Sequence, residues 1–444
     1  MFLAIEGIWQ LFCLFLVLIS FGFLCWRRPA LAAAAILLLA PSYLLKIKNW
    51  PITVLELFLL VFFICWVVKK IKEKAIFKEI FYRVFSFFGG GYFLALGLIL
   101  FGVLISVTLS VDWRVGAGIF KAWILEPIIF SLILAEIIKN KKELKGVLFG
   151  LVLGMILVAS ASLIYKLFGQ LTFDGRLSGW YLSPNHLAMY LAPGLILAWG
   201  GFFTGENKKQ KVFFGSAILI LSLVLYFTFS YGAWLGLAAA AVFILFYFWK
   251  HKIVERRQLF LVSCFFFLVV AFIFFLQLNN GNNEKLTNLL SSSCSSWQSR
   301  LMVWRAADKI LQSHWLFGVG PGLFQKYYLE YQSYFPVPYL EWAVPQPHNL
   351  FLAWWLQGGL LGLIGFLVLL INYFKNIILA KQKTSFVPLN KTKEGKQVLV
   401  IILMAAVIYI LVHGLADTTY WKNDLALVFW SIVSLGYITN RCYD

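Results

Sequence analysis

Thirteen stretches of about twenty mainly apolar residues run along the chain, and they decide its solvent. They lie at 7–26, 29–46, 51–68, 89–109, 118–138, 146–168, 186–203, 212–229, 232–249, 259–277, 350–372, 397–415 and 423–439. A helix of that length crosses the hydrocarbon core of a bilayer. The pattern predicts an all-α polytopic membrane protein of about 12–13 transmembrane helices. The stretch 29–46 is the shortest case and ends in Lys46 and Lys48, while 212–249 is too long for one span and divides at Ser230-Tyr231-Gly232. Composition excludes the alternatives. Residues are 61% hydrophobic and 13% charged, about half the charge of a water-soluble domain. An aromatic content of 18% excludes disorder.

The same chain carries 38 basic and 19 acidic residues, a net charge of +19. Such a balance can mean nucleic acid or acidic lipid, depending on where the charges sit. Here 26 of the 38 fall in alternate connections: Arg27/Arg28, Lys69 to Arg83, Lys139 to Lys145, Lys208 to Lys211, Lys250 to Arg257, Lys375 to Lys396, and Arg441. Short cytoplasmic loops collect Lys and Arg, so the N-terminus is expected outside and the C-terminus inside. A twelve-span chain with its N-terminus inside is the second arrangement. The charge marks topology and gives no support to nucleic acid as a partner. The first span is not a cleavable signal, because its only preceding charge is Glu6. Cys13, Cys25, Cys65 and Cys264 lie in spans, Cys294 outside and Cys442 inside, so no disulfide is expected. No Cys/His cluster has zinc spacing, and no metal or cofactor is implied.

Three regions follow: 1–277 with about ten spans, an outer loop over 278–346, and 347–444 with about three spans. A loop of that length is functional or disordered. Its start, Asn279 to Ser296, is rich in Asn and Ser. Its middle, Trp297 to Ser313, reads as a helix with Trp297, Leu301 and Trp304 on one face, suited to the membrane interface. The inner segment 373–396 reads as a basic, solvated linker.

Unusual polar residues gather on the outer side. In the stretch from Asp174 to His186, Pro184 can start a helix that Asn185 or Ser183 caps. Helix N-termini attract anions, and Arg176 is near enough in sequence to share one. The plainer alternative is a capped span with an arginine among headgroups. Around Trp304, Arg300 and Arg305 offer guanidinium forks for phosphate oxygens, although they stand about 140° apart on a helix. Their plain alternative is lipid-phosphate contact. The run Phe317-Gly-Val-Gly-Pro-Gly322 matches neither phosphate-cradling motif and reads as a tight turn. In Pro345-Gln-Pro-His348-Asn349, His348 stands at the mouth of the bundle, where it can take a proton from a hydroxyl. His413, near Asp417, suits a supporting role. His314 is a weaker candidate, and His251 reads as a solvated inner residue. Asp112 and Arg114 read as a local pair. Within spans, Lys121, Glu126, Glu136 and Lys166 are the main ionisable groups, and Glu126 is the one a transporter would use.

At these residues the chain resembles the O-antigen ligase and O-antigen polymerase superfamily of bacterial membrane proteins. The resemblance rests on Gly175-Arg-Leu-Ser-Gly with Pro184-Asn185-His-Leu-Ala188, Ser230-Tyr-Gly-Ala-Trp-Leu-Gly236, Arg300 to Gly322, and His348-Asn349 followed by Gly358-Gly-Leu-Leu-Gly362. It covers roughly 170–440 by motif and the first 170 residues by hydropathy alone. It implies a helical membrane glycosyltransferase of GT-C-like fold in the bacterial cytoplasmic membrane, working without metal on the extracytoplasmic face. The implied donor is a glycan on a polyprenyl diphosphate; the acceptor is a hydroxyl of a lipid or another glycan, and membrane lipids surround both. His348 then matches the acceptor-activating histidine, and Arg176 and Arg300, with Arg305 less closely, the diphosphate-binding arginines. Asn185, Asn349, Trp304, His413 and Asp417 support them. The sequence departs in two places. Tyr231 stands where many members have arginine, so Arg305 or Lys166 substitutes or that position makes no carrier contact. Gln357 stands where an acidic residue is common. Two other readings compete: a transporter or flippase of lipid-linked glycan, disfavoured by the one-sided placement of polar residues and the lack of a repeat, and a non-catalytic assembly protein. Ligase and polymerase share these motifs.

Overall fold

A computed structural model describes residues 3–48, 50–74, 77–250, 296–331, 341–382 and 391–443. The expected span 259–277, the stretch from Asn279 to Ser295, and His251, Cys264 and Cys294 lie outside the described residues. The chain is an all-α polytopic membrane protein. Among the described residues nine helices are long and apolar enough to cross a membrane.

The first helices set the direction of the chain. Strand β1 (Leu3–Ile5) precedes α1 (Ile8–Arg27), and β2 (Leu45–Ile47) pairs with β1 in parallel. The two strands therefore share one end of the bundle, and 29–44 must carry the chain back from Arg27. It does so in pieces. Helix α2 (Pro29–Leu38) has only ten residues, about 15 Å of rise. A 3₁₀ turn (Ala40–Leu44) and β2 complete the return. The expected single helix over 29–46 is thus corrected. Pro41 lacks the N–H a continuing α-helix needs, and the alanine-rich α2 is buried on most of its surface.

α3 (Val54–Lys72) has a capping box of Thr53 and Glu56 at one end and Lys69, Lys70 and Lys72 at the other. The amphipathic α4 (Phe77–Phe88) leads to α5 (Gly90–Thr108). Asp112 accepts from the backbone N–H groups of Arg114 and Val115 and so caps α6 (Trp113–Ile137), which contains a π-helical segment at Phe120–Leu125. The expected Asp112–Arg114 pair is in fact this cap. α7 (Lys141–Leu167), α8 (Pro184–Thr204), α9 (Lys208–Thr228) and α10 (Tyr231–Lys250) follow. After the outer-loop helices α11 (Ser296–His314) and α12 (Phe324–Tyr331) come α13 (Leu350–Gln382), α14 (Lys391–His413) and α15 (Asn423–Tyr443).

The main core lies among α2, α5, α7, α8 and α13 to α15, which supply most of its fully buried residues. α5 and α13 touch backbone to backbone: a Cβ at Gly102 would lie 2.4 Å from the Gly362 nitrogen. Small residues permit such approach in lipid, where packing rather than water exclusion holds helices together.

The outer loop builds its own small core. α11 buries Val303, Ala306, Ala307 and Ile310 against Val319, Phe324, Tyr328, Val344 and Leu356. The face of Trp297, Leu301 and Trp304 is a different one and is not part of this core. Trp297 is half exposed, its ring edge-on to Trp304. The run 317–322 is a turn with Gly318, Gly320 and Gly322 all at positive φ. It docks into a break in α13 at Gly359, whose φ of 65° interrupts the helix. Val319 N–H donates to the Leu356 carbonyl at 2.6 Å, and Leu360 N–H donates to that of Leu316 at 2.9 Å. The turn and the broken helix thus satisfy each other's backbone groups, as a buried break requires.

Candidate active site

The site grows from the ends of α8, α13 and α14. Pro345 and Pro347 flank the approach to α13, and Asn349 caps it by accepting from the N–H groups of Phe351 and Leu352 at 3.0 Å. Its amide donates to the Leu415 carbonyl, and Leu350 N–H donates to Gly414 at 2.7 Å. These bonds lock the start of α13 to the turn after α14. His348 is held between them at φ 47°, a left-handed conformation uncommon for a side-chain-bearing residue and concentrated at functional positions.

Its imidazole stands between two carboxylates. Nδ1 lies 3.2 Å from Asp417 Oδ1, and Nε2 lies 3.7 Å from Glu341 Oε2. Burial lowers the pKa of His348, but the bonds to Asp417 and Glu341 outweigh it and push the pKa up to about 9. The ring is therefore an imidazolium at neutral pH. Burial raises the pKa of Asp417, yet the hydrogen bond and charge of His348 bring it far below the carboxylate range. Glu341 is likewise lowered against its burial, by His348 and by Ser299, whose hydroxyl donates to it.

Behind Asp417 the chain of contacts continues. Asn185 Nδ2 donates to Asp417 Oδ2 at 2.9 Å, and Arg176 Nη2 donates to Asn185 Oδ1 at 2.6 Å. Ser183 is the cap of α8, accepting from Asn185 N–H, so the Asn185 side chain is available for this bridge. Arg176 is buried. Its Nε donates to the Thr228 carbonyl at 2.7 Å, and its Nη1 faces Asp174 at 3.7 Å. Burial lowers its pKa, with Asp174 and Asp417 opposing. An arginine nonetheless keeps its proton. Arg300 Nε donates to the Ala416 carbonyl at 2.6 Å, next to Asp417, and Trp304 Nε1 donates to the His348 carbonyl at 3.3 Å.

Of the residues expected from sequence, His348, Asp417, Asn185 and Arg176 thus form one continuous polar chain; Trp304 bonds to the His348 carbonyl, and Arg300 and Asn349 to the Ala416 and Leu415 carbonyls just before Asp417. His413 lies deeper, with Tyr409 Oη 2.8 Å from its Nδ1, and it packs on Gly232 of the Ser230-Tyr-Gly turn. Arg305 is exposed on α11 and stands outside the network, as its angular offset from Arg300 dictates. Lys166 reaches the region by another route, its Nζ 4.0 Å from the centre of the Phe227 ring. Gln357 donates to Gln346 and accepts from Gly322 N–H, so it fixes the glycine turn. The residue that sequence reasoning missed is Glu341. It sits in an aperiodic stretch of the outer loop, and only the fold brings it to His348.

A second, fully enclosed arrangement lies nearby. His186 Nε2 is 3.2 Å from both oxygens of Asp424, and Tyr181 Oη donates to Asp424 at 2.9 Å. All three are buried, and they pin the starts of α8 and α15 together.

Residues 216–367 match the sequence model of the O-antigen ligase family. The match takes in Arg300, Trp304, Glu341, His348 and the glycine turn, and it stops short of Arg176 and Asn185 on one side and Asp417 on the other. No curated protein matches the chain.

Proposed function

We propose, from the O-antigen ligase domain that the chain carries over residues 216–367, that it transfers a glycan from a lipid diphosphate to an acceptor hydroxyl. The observation that carries this reading is the placement of His348 between Asp417 and Glu341, beside Arg176 and Arg300. In the reaction the acceptor oxygen bonds to the anomeric carbon, the bond from that carbon to the diphosphate breaks, and the diphosphate leaves with the electron pair. The acceptor proton passes to His348.

Each group answers one need of that step. Arg300, and the field of the buried Arg176, counter the charge that grows on the leaving diphosphate. Asp417 holds Nδ1 and keeps the proton there, so Nε2 is the nitrogen that faces the hydroxyl. Nε2 must first give up its own proton. That proton leaves as the pH rises, and Glu341, 3.7 Å away and held ionised by His348 and Ser299, orients the ring and sets how readily Nε2 is freed. Asn185 and Arg176 act through Asp417 as positioning residues. The site lies at the extracytoplasmic face of a bacterial cytoplasmic membrane, where carrier and acceptor present their polar ends. Arg305, exposed on α11, is proposed to meet the outer part of the donor.

Replacement tests the roles separately. His348→Ala should abolish transfer, by at least about a hundredfold for a lost proton acceptor, while the carrier-linked donor still binds. Transfer at the parental rate would remove His348 from the mechanism. Arg300→Gln should raise the donor KM by about tenfold, the scale of one charge-assisted hydrogen bond. An unchanged KM would deny Arg300 a place at the diphosphate. Electrophoresis of the glycan products in cells lacking the gene separates the two acceptor classes: single-repeat products indicate a lost polymerase, and carrier-bound polymer a lost ligase.

A further inference from the structure

The end of the bundle opposite His348 holds a second concave site. α7 runs 27 residues from Lys141, about 40 Å of rise, before the chain enters the segment that bears Arg176. Its first turn is therefore at the far end. There α7, the end of α8 and the start of α9 enclose a cavity of about 580 Å³. That is the size of a site for an organic ligand. Its walls are apolar, with Phe149, Val152 and Phe214 among them, and its rim carries Lys141, Lys142 and Lys145. Phe149 is 42% exposed, and nearby Val212 is 58% exposed, so this side of the cavity faces the bilayer.

One carboxylate occupies the rim. The Nζ atoms of Lys141 and Lys145 lie 2.9 and 2.8 Å from the same Oε1 of Glu206. An ammonium carries three N–H groups, so the lysines that meet on this one oxygen are of a type that binds several anionic oxygens at once. Glu206 is itself largely exposed at the start of α9 and is not part of the packed core. Lysines at inner helix ends are expected from topology alone. An apolar cavity directly beneath three of them, with a carboxylate already bound at the anion position, is not.

We propose that this cavity is a binding site for an anionic phospholipid. Its phosphate sits on Lys141, Lys142 and Lys145, one acyl chain lies against Phe149, Val152 and Phe214, and Glu206 competes for the lysines when the lipid is absent. Charge complementarity selects the anionic lipid over a zwitterionic one, and the apolar walls select a lipid over a free anion. The assignment does not depend on the glycan reaction.

The test uses the full chain in a neutral detergent, titrated with phosphatidylglycerol or phosphatidylcholine, with bound lipid counted by native mass spectrometry. Phosphatidylglycerol should be retained in preference. The variant with Lys141→Gln, Lys142→Gln and Lys145→Gln should lose about tenfold or more of that affinity, given the strength of headgroup attraction per lysine. Glu206→Gln should bind the lipid severalfold more tightly, because a competitor is gone. This change of opposite sign separates a lipid site from a brace, since removing a brace gives a less stable protein with no gain in lipid. Equal retention of phosphatidylcholine, an unaffected triple variant, or weaker binding by Glu206→Gln would each overturn the proposal. Displacement of the lipid by inorganic phosphate alone would reassign the lysines to a free anion and overturn it as well.

Discussion

At the scale of residues, His348 has a carboxylate on each side of its ring, and the two together set its charge. Its folded pKa of about 9 lies above the ordinary 6.5, so the ring holds its proton throughout the neutral range and loses it as pH rises through 9. A base must be unprotonated to work. The transfer rate, measured as kcat/KM, should therefore climb with pH up to about 9. Glu341→Gln removes one of the two groups that raise this value, and its ascending limb should shift toward neutral pH. A profile that instead falls through this range would make His348 a cationic donor to the diphosphate rather than a base. Much of this site can be read from the sequence. His348 just after Pro345 and Pro347, Asp417 just beyond the second span that follows, and Asn185 after Pro184 are short polar signals set in apolar surroundings. Glu341 carries no such signal, because its meaning depends on Ser299 and His348, 42 and 7 positions away, meeting it in space. Arg305 shows the converse: a matching residue type in the same helix whose side chain stands exposed, outside the His348 network.

At the scale of elements, the break in α13 and the glycine turn that fills it form one device. Gly318 has φ 69°, and a Cβ there would lie 2.3 Å from the Leu356 carbonyl oxygen. Gly318→Ala should cost at least about 1–2 kcal/mol from backbone conformation alone, with the clash adding to it. Thermal unfolding of the detergent-solubilised protein measures this. Gly97→Ala is the control, because a Cβ at that helical position meets nothing within 4 Å. Equal stability of the two variants would contradict the docking of the turn. Hydropathy located the helices because a bilayer demands long apolar runs. It did not show the turn entering the helix, since the partner of each backbone group is chosen by tertiary packing. For the same reason the continuous apolar pattern of 29–46 concealed a helix that stops at Leu38 and resumes as a 3₁₀ turn and a strand.

At the scale of the whole molecule, the direction of the described helices follows from a few fixed points. The parallel pairing of β1 with β2 puts residues 3–5 and 45–47 at one end, and the ring of Tyr43 lies 6.3 Å from that of His186, which brings the start of α8 to the same end. Lys69, Lys70 and Lys72 close α3 at the other end, and Lys141 opens α7 there. Biased lysines therefore stand at one end and the His348 network at the other, and by the positive-inside rule the proposed site would face outward. The arrangement predicts how cysteines introduced at the two ends will label. In a variant with the six native cysteines replaced, Asp174→Cys should react with a membrane-impermeant maleimide in cells whose cytoplasmic membrane is intact. Lys142→Cys, exposed in the first turn of α7, should react only after permeabilisation. The reverse pattern would turn the bundle over and leave His348 facing the cytoplasm, away from any acceptor on the outer leaflet. It would therefore remove the proposed transfer reaction together with the topology.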